Sequence, residues 1–516
     1  MRLHLNIRAT KRTRLFNALL IGLMVAGVSF QATETTNLQA VYGAGIAHKW
    51  QLTGEDHTAY RTVFSAQARG DWDAADTALS SLNDQRLLGT ILAHRYLDAR
   101  YAASGDELSA WLTNYSDQPE APALRKLAQS KGLSATPSVT TAQSAPAIVG
   151  IGRVATMGNT DLPSTWYRGI ALWKSGDITA ALAQFTTTAE SKELTPWQRS
   201  AAAFWQYRAL SVLKREDEAE KALELAASTP RTFYGMLATA IKGESLALSA
   251  TAPYVPAHLR SHPAVSRASA LSQIGEYALA EKEMRHLYRH IDSAERTALI
   301  TLASEINLPN LQVRLGQMRG VSKEEAVYAS YPMPSWLDGE KTTFDTALMF
   351  AISRQESSFA NQVRSESGAT GLMQLTPSTA NYVWQKTASS LTASIDIAAS
   401  RLALSDLHDP KTNMLLGQEY IRYLMGKSGD PANLIHVLAS YNAGPGMVNA
   451  WNRSAASTTD PLLYIESIPY RETRNYVMQV LSNYWAYQSL MGSDTQTLRQ
   501  LASGAWPKIS AANTSN

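Results

Sequence analysis

Lys174-Ser-Gly-Asp-Ile-Thr-Ala-Ala181 is the unit on which the reading of the first two thirds of the chain turns. A Ser-Gly-Asp turn separates an apolar-periodic stretch from an Ala-rich one. The same pattern returns as Ala68-Arg-Gly-Asp-Trp-Asp-Ala-Ala75, Lys214-Arg-Glu-Asp-Glu-Ala-Glu220 and Gln273-Ile-Gly-Glu-Tyr-Ala-Leu-Ala280. Each copy predicts a helix, a tight turn and a second helix. No such pair can bury its apolar face alone, so neighbours must stack, and stacking of helix pairs gives a superhelical solenoid. The spacings are irregular and the repeats degenerate. We therefore expect an all-α, tetratricopeptide-like scaffold over 39–330, interrupted at 134–150, where Pro137, Pro146 and many Ser and Thr read as a linker.

Tyr331-Pro-Met-Pro-Ser335 ends the array, because alternating prolines stop a helix and force extended backbone. The linker 331–335 is thus expected to lead into a second compact unit at 336–491, followed by a polar, poorly ordered tail at 492–516. At the other end, Arg2, Arg8, Lys11, Arg12 and Arg14 precede an apolar run from Leu15 to Phe30. That run is short against the about 20 residues of a membrane span, so 1–32 reads as a cleaved secretory signal. Its removal takes five basic residues and no acidic one, turning the net charge of +3 into −2. A nucleic-acid partner then lacks the standing basic excess it requires. With no cysteine in the chain there is neither a disulfide nor a lipid-anchoring thiol. The mature protein is expected free in the periplasm, without a membrane anchor.

Chemistry concentrates in the second unit. In Phe344-Asp-Thr-Ala-Leu-Met-Phe-Ala-Ile-Ser-Arg-Gln-Glu-Ser-Ser-Phe359, Asp345 can cap a helix, and Leu348, Ala351, Ile352, Gln355 and Glu356 share one face. A carboxyl on an apolar face is desolvated, which raises its pKa toward the range a general acid needs. A glycine-punctuated loop follows, Arg364-Ser-Glu-Ser-Gly-Ala-Thr-Gly-Leu-Met-Gln-Leu-Thr-Pro377, where Thr376 can cap the next helix with Pro377 at its first position. Further on, Ser440-Tyr-Asn-Ala-Gly-Pro-Gly446 halts a helix, and Tyr464-Ile-Glu-Ser-Ile-Pro-Tyr-Arg-Glu-Thr-Arg-Asn-Tyr-Val477 leads into the last one. Aromatic and amide groups at loop ends suit sugar recognition.

Four of these blocks together, Gln355-Glu-Ser-Ser-Phe359, Gly368-Ala-Thr-Gly-Leu-Met-Gln374, Tyr441-Asn-Ala-Gly-Pro-Gly446 and Ile468-Pro-Tyr-Arg-Glu-Thr-Arg-Asn-Tyr476, resemble the signature blocks of the soluble lytic transglycosylases, in the family's order and spacing. The resemblance implies a ring-shaped helical scaffold beneath a goose-lysozyme-like catalytic domain. It places the catalytic acid/base on Glu356 and matches Ser365, Gln374, Tyr441, Asn442 and Glu466 to positions that line the cleft or hold substrate. Thr376 departs from relatives that carry methionine there. The implied substrate is the glycan strand of peptidoglycan, cleaved between N-acetylmuramic acid and N-acetylglucosamine with a 1,6-anhydro end, and no cofactor or metal is required. Cell-wall synthases are candidate partners of the helical region. If that region only grips long strands, the isolated 336–491 unit should keep activity on short muropeptides and lose it on whole sacculi.

Three other features are weighed and set aside. Gly150-Ile-Gly-Arg-Val-Ala155 imitates a dinucleotide fingerprint but follows a linker and opens no helix. His286 and His290 lie four apart, as metal ligands can, but without a glutamate after the first histidine they read as a solvated pair. Glu366, if it faced the cleft, could activate water and make the enzyme a hydrolase; the plainer reading is a solvated loop carboxylate. An adaptor that binds glycan without cutting it is the remaining alternative.

Overall fold

Each of the four quoted turns joins two helices in the computed structural model, which describes residues 50–133, 142–143, 145–148, 162–191, 193–340, 345–391, 394–395, 397, 400–428, 432–454 and 459–509. The signal segment 1–32, most of the 134–150 linker and the Gly150–Ala155 stretch lie outside the described residues. The helical region comprises α1 (Gly54–Arg69), α2 (Trp72–Leu79), α3 (Leu88–Leu97), α4 (Gly105–Asn114), α5 (Ala121–Ser130), α6 (Ser164–Lys174), α7 (Ile178–Ala189), α8 (Pro196–Val212), α9 (Glu216–Ala227) and α10 (Phe233–Ile241). It continues through α11 (Ala257–Arg260), α12 (Pro263–Gln273), α13 (Tyr277–Tyr288), α14 (Ala298–Glu305), α15 (Pro309–Leu315) and α16 (Lys323–Ser330).

The repeat works through one backbone device. At Gly176 the chain turns left-handed (φ 83°), and the last carbonyls of α6 are taken by the amides of Gly176 and Asp177. That is the Schellman closure of a helix. The α8–α9 turn makes the same two bonds with Lys214 at φ 60°, and a fifth turn, at Asn307 (φ 62°) between α14 and α15, makes them again. Neither has glycine, and the fifth, followed by Leu308 and Pro309, also lacks the acidic residue that follows the turn in the other four.

Burial divides the array among three clusters, the smallest joining α3 to α4 and α5 around Trp111 and Leu124. α1 to α3 share an apolar cluster with α12 to α16, built on Trp50, Tyr60, Val265, Leu299 and Tyr328. Helices α6 to α10 instead share one continuous core with the C-terminal unit, from Trp166, Phe185 and Trp205 through Phe233 to Leu348, Leu438 and Trp485. Phe233 of α10 stacks on Trp485 with ring centroids 5.5 Å apart.

The C-terminal unit contains α17 (Thr346–Ser357), α18 (Pro377–Leu391), α19 (Pro410–Ser428), the short strand β1 (Ala432–Asn433), α20 (Leu434–Ala443), α21 (Pro445–Ser454), α22 (Pro461–Ser467) and α23 (Arg471–Leu490). α17 lies along α23 at its centre. Asp345 caps α17 by accepting from Ala347 N at 2.9 Å, and its other oxygen accepts from Tyr484 Oη (2.8 Å) and Gln488 Nε2 (3.0 Å) of α23. The expected disordered tail is corrected as far as residue 509. Gln496–Ala502 forms α24, with Leu498 and Leu501 buried, and Lys508–Ile509 forms β2, antiparallel to β1 with Ala432 opposite Ile509. A two-leucine face in an otherwise polar stretch suffices to dock a short helix. The architecture is all-α, a helical superhelix joined to a lysozyme-like unit, apart from this two-stranded patch.

Candidate active site

Glu356 sits in the last turn of α17, half-buried between the buried Gln355 and Ser357. The helix stops there abruptly: Ser358 (φ 51°) and Phe359 (φ 63°) are both left-handed without being glycine, an arrangement that costs energy and must be held by its surroundings. Ser357 Oγ donates to Leu372 O at 2.7 Å, tying the helix end to the loop in front of it.

That loop is a small, tightly bonded hairpin. Ser365 N donates to Ala369 O (2.8 Å), and Ser365 Oγ accepts from Ala369 N (3.0 Å). Asn413, buried on α19, holds the loop from behind: its Oδ1 accepts from Met373 N (2.8 Å) and its Nδ2 donates to Thr370 O and Leu407 O. Gly371 has φ 81°, and a Cβ there would come within 2.2 Å of Leu407 O, so no other residue fits. Gln374, itself left-handed, donates from Nε2 to Gly371 O (2.8 Å) and Val363 O (3.2 Å). Thr376 caps α18, accepting from Thr379 N at 3.2 Å. Ser365 and Gln374 thus shape the loop that Ser357 ties to the end of α17.

Tyr441 closes the site from α20. Its hydroxyl donates to Met373 O at 2.8 Å, and its ring lies between Tyr420 (centroids 5.3 Å) and Tyr476 (6.5 Å). Burial first, and then the charge of Glu356, push its pKa well above the ordinary phenol value. Tyr441 is thereby held as a neutral phenol. Asn442 Oδ1 accepts from Thr473 Oγ1 at 2.6 Å. With Met447, Tyr470, Arg471, Glu472 and Thr473 it lines an open groove of about 410 Å³.

Glu466 does not line this groove. It is 6% exposed, accepts from Tyr234 Oη of α10, and has Arg474 Nε at 3.8 Å. The carboxylate on the groove is Glu472, six residues on. The spacing of Leu462, Ile465 and Glu466 along α22, all buried, was the signal that Glu466 points inward. Glu366 is exposed on the loop. His286 and His290 are not a solvated pair: they are half-buried with ring centroids 4.1 Å apart, and burial, aided by His290, holds His286 down to about 4. Among the described residues no group of three or more His, Cys, Asp or Glu could hold a metal ion, and no helix is long and apolar enough to cross a membrane.

Residues 337–463 match the transglycosylase SLT domain, and 467–496 match the soluble lytic transglycosylase helical domain, here the segment that contains α23. The soluble lytic murein transglycosylase of Escherichia coli is 30% identical over 315 residues, covering 60% of this chain and 46% of that protein. The C-terminal unit thus carries a transglycosylase SLT domain. The Salmonella typhimurium protein of the same name is 30% identical over 308 residues, 59% of this chain and 45% of its own. The chain thus spans about half the length of the curated relatives it matches. The crystal structure of the 70 kDa soluble lytic transglycosylase of E. coli aligns with a TM-score of 0.53 at 22% identity, over 94% of this chain and 69% of that one. The complex of the 70 kDa enzyme with bulgecin A aligns equally well, at 0.53 and 21%, over 95% and 69%. At these identities the structures support the transglycosylase fold.

Proposed function

We propose that the protein is a periplasmic peptidoglycan lytic transglycosylase that cuts the β-1,4 bond between N-acetylmuramic acid and N-acetylglucosamine. The observation that supports this reading is that Glu356 ends α17 where Ser357 ties the helix to a bonded loop that Tyr441 also pins, within residues matching an SLT domain. Glu356, as the acid, gives its proton to the glycosidic oxygen while the bond from that oxygen to the muramic C1 breaks. The resulting carboxylate takes the proton of the same sugar's 6-hydroxyl as that oxygen bonds to C1. Atoms balance without water, and the product ends in a 1,6-anhydro ring. Holding the sugar so that its own hydroxyl attacks makes the step intramolecular, where effective molarity is high. Ser365 and Gln374 would shape the substrate side of the loop, and Asn442 with Glu472 would line the groove. Two-carboxylate glycosidases need a second acid group facing the bond; Glu366 points to solvent and is a poor candidate for it. Peptidoglycan strands are the substrate, and cell-wall synthases are candidate partners of the helical region. The reading includes export through the 1–32 signal.

Digestion of purified sacculi followed by mass spectrometry tests it, with Glu356→Gln as control. Products one water lighter than reducing-end muropeptides, absent with the variant, are expected. Reducing-end products would make it a hydrolase, and no products from wild type would leave a glycan-binding adaptor.

A further inference from the structure

We infer that the helical region supplies a positioning residue to the active site: Asn310 of α15 fixes the turn that aims Glu356. The inference rests on the reading of Glu356 as the acid. Ser358, two residues past Glu356, is fully buried, and its left-handed backbone turns its carbonyl out of the α17 hydrogen-bond ladder. A buried carbonyl must find a donor. Asn310 Nδ2 provides it at 2.7 Å, across 48 positions of sequence.

The donor is itself held. Arg314, one turn on along α15 and only 4% exposed, donates from Nε to Asn310 Oδ1 at 2.8 Å. Because Arg314 can only donate, it fixes which end of the amide faces it, and the NH₂ group is left pointing at Ser358 O. The relay Arg314, Asn310, Ser358 therefore runs from a buried cation of the solenoid to the backbone beside the acid. A second tether flanks it: Arg354, two residues before Glu356, donates from Nε to Ser330 O of α16 at 2.5 Å and stacks over Tyr331 at 4.8 Å. Both sides of the catalytic carboxyl are thus fastened to the helical region. Phe359, the second left-handed residue, is buried and packs edge-on to Phe350 (6.2 Å), so the turn cannot relax by moving outward.

Asn310 touches no reacting atom on this account; it sets the direction of the end of α17. The reaction demands that one carboxyl reach first the glycosidic oxygen and then the 6-hydroxyl proton, and small misplacements of such a group reduce turnover sharply.

The test compares Asn310→Asp, which is isosteric and can keep the bond from Arg314 but has no N–H for Ser358 O, with Asn310→Leu in the full-length protein. On purified glycan strands, kcat should fall on the order of ten- to a hundredfold with KM unchanged. Chito-oligosaccharide binding by the Glu356→Gln, Asn310→Asp double variant should equal that of Glu356→Gln alone. Wild-type kcat for Asn310→Asp beside an inactive Glu356→Gln would overturn the positioning role only. So would a fall in kcat matched by a loss of oligosaccharide binding, which is the mark of general disruption. An active Glu356→Gln would overturn the assignment of the acid, and the positioning role with it.

Discussion

Tyr234 Oη on α10 donates to the carboxylate of Glu466 on α22 at 2.5 Å, and accepts from Trp205 Nε1 at 3.0 Å. The bond joins the helical region to the C-terminal unit inside their common core. Burial raises the Glu466 carboxyl above its ordinary value of 4.5, against the pull of Arg474 and the Tyr234 hydroxyl. The folded state therefore holds this proton more tightly than the unfolded chain does. Stability should fall as pH rises from the ordinary carboxyl value through the raised one, and level off above it. Glu466→Gln can still accept from Tyr234 and is neutral throughout, so it should flatten that slope in urea unfolding across pH. Tyr234→Phe, which strips a bond from a buried carboxyl, should cost about 1–3 kcal/mol.

Tyr441 yields a prediction on activity. Its hydroxyl is locked to Met373 O, and its pKa lies well above 10 through burial and the charge of Glu356. Ionisation of this phenol should contribute no alkaline limb to the pH-rate profile below about pH 10. Tyr441→Phe should lower kcat by on the order of tenfold or more, because the loop before the acid loses one of its pins. Unchanged kcat in the Phe variant would show that the ring alone matters.

Much of this was legible in sequence, for reasons that differ by residue. The hairpin turns at Gly70, Gly176 and Gly275 are readable because a left-handed residue before an acidic one is a local demand of the backbone. Asn307 takes the same left-handed backbone with neither glycine nor a following acidic residue, so nothing local announces it. Glu356 and Tyr441 are picked out by their blocks; Tyr441 donates to the loop at Met373 O, and Glu356 lies in the end of α17 that Ser357 ties to the same loop. The surroundings of Glu466 are not readable from its motif, because a motif gives position in the chain, whereas burial depends on what packs against it: Tyr234 lies 232 residues earlier. Asn310 was invisible for the same reason, since nothing near it in sequence announces Ser358.

The shared core changes what excision should do. Helices α6 to α10 and the C-terminal unit bury one another's side chains, with Phe233 on Trp485 and Arg208, lying over the rings of Trp173 and Trp205, paired with Asp460 at 2.6 Å. An isolated 336–491 fragment would expose that face and lose the Asn310 tether. It should be aggregation-prone and inactive even on short muropeptides, against the expectation from a purely strand-gripping scaffold. A monomeric, cooperatively melting and active fragment would show that the helical region is dispensable for the fold.

The segment after Met491 makes the last case. Trp485 Nε1 donates to Thr497 Oγ1 at 3.0 Å, Leu498 and Leu501 are buried, and α24 packs against α10. Beyond it, Pro507 O accepts from Leu434 N at 2.9 Å, and Trp506 stacks near His436 (5.4 Å) and Tyr464 (5.3 Å). The end of the chain thus braces the start of α20, the helix that carries Tyr441 at its other end. Burial of one leucine contributes about 1.5–3 kcal/mol, so truncation after Met491 should remove at least about 3 kcal/mol. Chemical denaturation reads that loss directly. Truncation after residue 509 should remove none of it, and an unchanged unfolding midpoint for the shorter protein would mean that α24 and β2 dock without bearing on stability.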